Sequence, residues 1–343
     1  MTSRRPLTRL TRTQSALISH RYIAGGAAAA VALAIAAFVN HRLAAAAERR
    51  NPPKGKFVEV DGVRLHYFER GRGEPLILLH GNGSMIEDFA SSGLIERASR
   101  SYRVIAFDRP GFGYSERPRS TIWTAEAQSK LIEAALAKIG ISIATVLGHS
   151  WGCSVAVALA LRSPHLVGSL VLSSGYYFPS VRADVVTLSG PAIPVLGDLI
   201  RYTLSPVLAR LMWPLLTRKL FGPASVPQKF EDGFPKEMTF RPSHIRASAA
   251  ESALMIPEAF AARGHYGELR IPVVILAGEK DRLIDVDAQS ARLHSELPNS
   301  TFHRVTGAGH MVHQTAPEVV MAAIEEAVAA ARTGRANEIL VAA

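Results

Sequence analysis

Five residues, Gly148-His149-Ser150-Trp151-Gly152, constrain this chain more than any other stretch. They follow an apolar run, Ile143 to Leu147, and open a segment rich in Ala and Val. Such a join carries a buried strand into a helix through one sharp turn. Glycines suit its flanks because a Cβ would clash in so tight a bend. Ser150 is then expected at the C-terminal edge of a parallel sheet, above the positive end of a helix.

The rest of the body supports that sheet. Phe57–Val60 and Val63–Glu69 are joined by Asp61-Gly62, a two-residue hairpin signal. Pro75–His80, Tyr102–Asp108, Ile143–His149, Gly168–Ser173, Ile271–Gly278 and Thr301–Val305 are short apolar runs bounded by turn residues, which predicts buried parallel strands. Helical patterns separate them at Thr124–Ile139, Trp151–Ser163, Asp287–Leu297 and Ala316–Ala330. From about 176 to 269 no strand pattern occurs, and apolar helical pieces such as Val207 to Leu216 appear instead. The expected class is α/β: a mostly parallel eight-stranded sheet flanked by helices, with a helical cap inserted after the sixth strand. An ordinary helical subdomain with no gating role is the alternative reading of that insert.

Charge is distributed unevenly. The chain carries a net +10, yet residues 1–56 hold ten Lys/Arg and one acid, Glu48, leaving only +1 for the remainder. The basic excess flanks one uncharged stretch, residues 22–40, nearly half of it alanine. Its length suits a spanning helix of about 20 residues. Bases on both sides of an apolar segment fit a membrane surface and argue against nucleic acid. We therefore expect a basic tail at 1–21, a transmembrane helix at 22–40, a polar linker with Pro52-Pro53 at 41–56, and the α/β body with its helical insert at 57–343. A signal peptide cleaved near Ala44-Ala45-Ala46 and a soluble helix are the alternatives. The expected location is a single-pass anchor in a bacterial inner membrane. Five bases precede the span and five follow, so the facing side stays open.

A serine hydroxyl needs a base within hydrogen-bond reach and a third group that orients the base. Two later strand ends supply candidates. The strand ending at Gly278 runs into Glu279-Lys280-Asp281-Arg282, and the last strand runs into Thr306-Gly307-Ala308-Gly309-His310. Asp285 and Asp287 compete with Asp281, and His313 competes with His310. The lone Cys153 is expected to be a buried packing residue. No Cys/His cluster has zinc spacing.

Over about residues 57–332 the chain resembles the α/β-hydrolase superfamily. The resemblance rests on Gly148 to Gly152, on Asp281 before Arg282, and on Gly307-Ala308-Gly309-His310. His80-Gly81-Asn82-Gly83 is similar to the family's oxyanion loop, and Asp108-Arg109-Pro110-Gly111-Phe112-Gly113-Tyr114-Ser115 to its structural loop. It implies Ser150 as nucleophile, His310 as base and Asp281 as the residue orienting that base. The oxyanion hole would be the amides of Asn82 and Trp151, with Gly148, His149 and Gly152 forming the elbow. No metal or organic cofactor is implied. Haloalkane dehalogenases and epoxide hydrolases have similar loops but an aspartate nucleophile, which Ser150 disfavours. The expected substrate is a hydrophobic small-molecule acyl ester. The alternatives are carbon–carbon hydrolysis of ring-fission diketones and a non-catalytic ligand-binding member.

Overall fold

The computed structural model describes residues 12–182, 185 and 188–342, and side chains between 23 and 334 within them. Residues 1–11 of the expected basic tail therefore lie outside the described residues.

Eight strands form one sheet: β1 Lys56–Val60, β2 Val63–Arg70, β3 Glu74–Leu79, β4 Tyr102–Phe107, β5 Ala144–His149, β6 Val167–Ser173, β7 Val273–Gly278 and β8 Ser300–Val305. Their order is β1-β2-β4-β3-β5-β6-β7-β8. β1 and β2 run antiparallel to each other, β2 is antiparallel to β4, and the remaining pairings are parallel. The Asp61-Gly62 turn has φ of 49° and 73°, as a tight hairpin matching the strand twist requires.

The central strands read as continuous apolar runs because both faces are covered. Ile77, Leu79, Ile105, Val146 and Leu170 belong to the core on one face, under α4 Ala125–Lys138 and α5 Trp151–Arg162. Leu76, Leu78, Val104, Leu147 and Val171 belong to the core on the other face, under α2 Ile86–Ser91, α3 Leu94–Ala98 and the final helix Pro317–Ala342. Each fully buried Leu, Ile or Val contributes about 1.5–3 kcal/mol relative to exposure. Thr124 caps α4 by accepting the Ala127 amide at 3.0 Å.

The chain passes from β3 to β4 on one side and then to β5 on the other side of β3. This reversal opens a crevice at the C-terminal strand ends, where open α/β sheets bind ligands. The β3–β5 register pairs Leu79 with Gly148, so the loop after β3 lies beside the turn after β5.

Between β6 and β7 the described residues contain helices and no strand. They are α6 Leu196–Tyr202, α7 Ser205–Phe221, α8 Gln228–Gly233, α9 Lys236–Thr239 and α10 Pro242–Ala262. After β7 the chain makes a π-helical turn, Asp287–Ala291, before α11 Arg292–Glu296, so the expected helix 287–297 forms in two pieces. Then come α12 Val312–Thr315 and α13 Pro317–Ala342.

The N-terminal segment differs from expectation in one respect. Helix α1 spans Arg12–Arg50, so most of the expected linker at 41–56 is helical. Leu43 to Glu48 is alanine-rich and favours helix. Docking of that last part on the cap holds it. Ala47 is fully buried with Met85, Phe221, Phe230, Phe234, Met238 and Met311. Glu48 pairs with Arg241 at 2.8 Å, and Asn40 donates to the Tyr202 and Thr203 carbonyls at 3.0 and 2.8 Å. Upstream, Ile23, Val31, Ile35 and Phe38 are 59–67% exposed.

Candidate active site

Ser150 sits at φ 52°, ψ −120°, a conformation strained for any residue with a Cβ. Its amide donates to the Ser173 carbonyl at 2.9 Å, which ties the turn to β6. A Cβ on Gly148 would lie 2.5 Å from the Gly152 carbonyl oxygen, and one on Gly152 would collide with the Leu79 carbonyl. The two glycines thus let strand, turn and helix close on one another. Cys153 is fully buried under the turn, its thiol pushed up to about 12 by burial, so it stays protonated at neutral pH.

Of the three candidate aspartates only Asp281 meets a histidine of this edge. Its Oδ2 is 2.7 Å from His310 Nδ1, and its Oδ1 accepts the Leu283 and Ile284 amides at 2.7 and 3.0 Å. Burial works to raise the Asp281 carboxyl, but the His310 charge and these donors outweigh it and hold it below the usual 3.8. Asp285 caps the next turn through the Ala288 amide, and Asp287 pairs with Arg304 at the surface. With Nδ1 donating to a carboxylate, Nε2 of His310 is left as the proton acceptor.

The His310 loop is pinned from two sides. Its amide donates to the Leu220 carbonyl at 3.0 Å, at the end of α7. Its carbonyl accepts from His149 Nε2 at 3.1 Å, directly before Ser150. Burial, His313 and His310 all push His149 well below 6.5, so it acts as a neutral Nε2–H donor.

The loop after β3 closes the other side. A Cβ on Gly81 would stand 3.0 Å from the Ser150 Cβ, so this backbone crosses directly over the serine. Among the described residues the amides of Asn82 and Trp151 donate to no protein acceptor. The Asn82 side chain is turned away to Ser248 and Ser252 of α10, at 3.1 Å each.

Sequence reasoning missed what holds that loop. Arg109 Nε donates to the His80 carbonyl at 2.7 Å and Nη2 to the Gly81 carbonyl at 2.8 Å. The same guanidinium meets Gln128 at 3.0 Å and both oxygens of Glu251 at 2.5 and 3.0 Å. Arg109 and Glu251 are both fully buried. The readable signal was Glu251 itself, a lone acid in the apolar, small-residue stretch Ala247 to Pro257. His80 receives the Arg109 amide at Nε2 (3.0 Å) and faces the Gly81 carbonyl with Nδ1 (2.8 Å). Burial and the Arg109 charge hold it down to about 3, so it stays neutral.

A second Asp–His pair lies behind the turn. His313 Nε2 is 3.0 Å from Asp88 Oδ1, and the ligand-type atoms of Asp88, His149 and His313 lie within 4.8 Å of one another. Asp88 also accepts from Ser84 at 2.9 Å and Gln314 at 2.8 Å. Burial tends to raise the Asp88 carboxyl, but His313 overrides it and keeps it ionised. His313 therefore belongs to a buried polar network and does not contact Asp281.

The model of the alpha/beta hydrolase fold family matches residues 74–317. Among curated proteins the chain is 29% identical to the uncharacterized hydrolase YugF of Bacillus subtilis, over 76% of this chain and 93% of that one. It is 30% identical to a 2-hydroxy-6-oxononadienedioate/2-hydroxy-6-oxononatrienedioate hydrolase of Paraburkholderia phymatum, over 72% of this chain and 85% of that one. Among solved structures, a membrane phospholipase A described as a bacterial virulence factor superposes with a TM-score of 0.63 and 22% identity. It covers 94% of this chain and 99% of that one, so the likeness of fold reaches into helix α1. With its sheet order, its strand-to-helix serine turn and a family match across most of its length, this chain belongs to the alpha/beta hydrolase fold family.

Proposed function

We propose that this protein is a membrane-anchored serine hydrolase that cleaves a hydrophobic carboxylic ester through an acyl-enzyme. The observation that carries the reading is the Asp281–His310 pair at 2.7 Å, pinned through His149 to the strained turn bearing Ser150.

In this reading Ser150 Oγ attacks the acyl carbon while its proton passes to His310 Nε2. Asp281 keeps the imidazole in the tautomer with Nδ1–H and stabilises its charged form. The Asn82 and Trp151 amides donate to the oxyanion; each such donor is worth about 10²–10³ in turnover. Collapse breaks the ester C–O bond, and the alcohol leaves with the proton from His310. Water then attacks the acyl-enzyme, giving its proton to His310, and the acid departs as Ser150 recovers its proton. No metal or organic cofactor takes part in this scheme.

The anchor rests on α1. Its segment from Ile23 is apolar enough to cross a bilayer and only 6% of its most apolar window is buried by the protein. Its last turns are fixed to the cap, which holds the site close to the surface into which the helix inserts.

Hydrolysis of a carbon–carbon bond is the competing reading, supported by the relatives that carry such names. Both readings use Ser150, His310 and Asp281. Two assays separate them in the detergent-solubilised full chain: release of p-nitrophenol from esters of acetate to palmitate, and loss of absorbance of a ring-fission dienoate. We expect ester turnover that disappears in Ser150→Ala. Turnover of the dienoate alone would replace the ester reading with the carbon–carbon one.

A further inference from the structure

Thirteen large apolar side chains between residues 188 and 216 stand 42–82% exposed. Leu208, Leu211 and Leu215 recur at helical spacing along α7, with Leu204 directly before it, and Leu196 and Leu199 are exposed on α6. A water-soluble protein rarely exposes a contiguous apolar patch beyond about 300–600 Å², and larger ones mark interaction surfaces.

The position of the patch says what covers it. Asn40 closes the apolar segment of α1, and its side chain is bonded to the Tyr202 and Thr203 backbone between α6 and α7. Arg210 of α7 reaches back to Asn40 Oδ1 at 3.3 Å. The point where α1 leaves its apolar stretch is therefore the point where α7 begins. A bilayer that accepts α1 up to Asn40 meets the cap at that level.

The charge pattern points the same way. Arg201 is buried and pairs with Asp198 of α6, and Arg210 pairs with Glu237, whereas Arg218 and Lys219 at the end of α7 pair with no acid among the described residues. A helix apolar on one side, with Arg218 and Lys219 in its last turns, suits the boundary between acyl chains and anionic headgroups.

We propose that the exposed face of α6 and α7 is a second membrane contact, seated in the interface of an anionic bilayer beside α1. The proposal rests on the anchor reading of α1. It also links the membrane to the site, because Leu220 in the last turn of α7 holds the His310 amide through its carbonyl.

The test uses the full chain in nanodiscs of phosphatidylcholine with about one-third phosphatidylglycerol, a composition in the anionic range that attracts basic segments. Single nitroxide labels are placed at Leu208→Cys, Leu211→Cys and Leu215→Cys, at Val31→Cys on α1, and at Lys130→Cys on the distant helix α4. Native Cys153 is buried and unreactive. Collision with oxygen, soluble in lipid, is compared with collision with a water-soluble nickel complex. We expect the α7 labels and Val31 to favour oxygen, and Lys130 to favour nickel. Val31 in lipid with the α7 labels in water would overturn the proposal and leave the anchor standing. Val31 in water would overturn both. Spin–spin broadening at the α7 positions, with neither reagent gaining access, would assign the face to a second copy and overturn the proposal.

Discussion

Arg109 and Glu251, both fully buried, meet at 2.5 Å and join the loop after β4 to cap helix α10. The pair does more than hold two elements together. Arg109 spends its other donors on the His80 and Gly81 carbonyls, so the backbone that passes over Ser150 is hung from this one guanidinium. Gln128 adds a fixed neutral partner to both charges, at 3.0 Å to Arg109 and 2.9 Å to Glu251.

Glu251→Ala leaves a buried cation without its counterion, which typically costs about 3–5 kcal/mol. We expect a clear loss of melting temperature and a fall in kcat, because the Gly81–Asn82 backbone loses its support. Glu251→Gln keeps one acceptor oxygen but removes the charge and turns an NH2 donor against one Arg109 donor, so it should recover part of the activity and less of the stability. Thermal melts and ester turnover of the two variants check this. Equal effects from both would mean that the loop does not depend on the hydrogen bonds.

Asp281→Asn removes the acceptor that fixes His310 in the Nδ1–H tautomer. Changes of this kind lower turnover by about 10⁴ with the fold intact. The native Asp281 carboxyl lies below its usual 3.8. The pair contributes in full above pH 3.8 and is lost only as pH falls through the lower folded value. Asp281 should therefore not set the acid limb of activity near neutrality. A kcat/KM profile for the native enzyme, with turnover of the variant at pH 7–9, tests both statements.

The buried histidines set the acid stability. Burial, with Arg109 for His80 and Arg241 for His244, holds these two to about 3, and His149 also lies well below 6.5. The unfolded chain protonates all three near 6.5 while the folded one does not, so their stabilisation is full above pH 6.5 and falls away toward pH 3. Glu87 acts in the opposite sense. Burial and Asp108 push it up to about 7, so its proton favours the fold between pH 7 and 4.5. Glu258, also raised by burial, acts with it, and three groups against two leave a net loss on acidification. We expect the melting temperature to drop from pH 6.5 to 4.5. His244→Gln should flatten the slope by about one proton, ~1.4 kcal/mol per pH unit. An unchanged slope would remove His244 from the explanation.

Much of this is legible in the amino-acid sequence. The eight strands fall within a few residues of their apolar runs, because each buried parallel strand carries an uninterrupted signal bounded by turn residues. The order Ser150, Asp281, His310 was readable because each follows a strand end on the same edge. The Arg109–Glu251 pair was not, since 142 residues separate its partners and only tertiary packing brings them together. The helical state of Leu43 to Arg50 was missed for a related reason. Pro52-Pro53 marks a true break, but where the helix before it ends depends on Ala47 finding a pocket in the cap.

That docked end of α1 leads to the last expectation. A chain beginning at Val39 loses the apolar span but keeps Asn40, Ala47 and Glu48. A chain beginning at Pro52 loses all three. The second cut uncovers Met85, Phe221 and Met238 and leaves Arg241 without its carboxylate. Arg241 also donates to the Met238 and Gly113 carbonyls, so it holds α9 and the structural loop together from inside. Loss of one charged hydrogen-bond partner is worth about 1–3 kcal/mol. At roughly 2–4 °C per kcal/mol for a domain of this size, the shorter chain should melt several degrees below the longer one. Glu48→Gln in the longer chain should reproduce part of the gap, and Arg42→Gln, beside the docked turns but without these contacts, should not. Equal melting of the two truncations would show that α1 merely tethers the domain and forms no part of its fold.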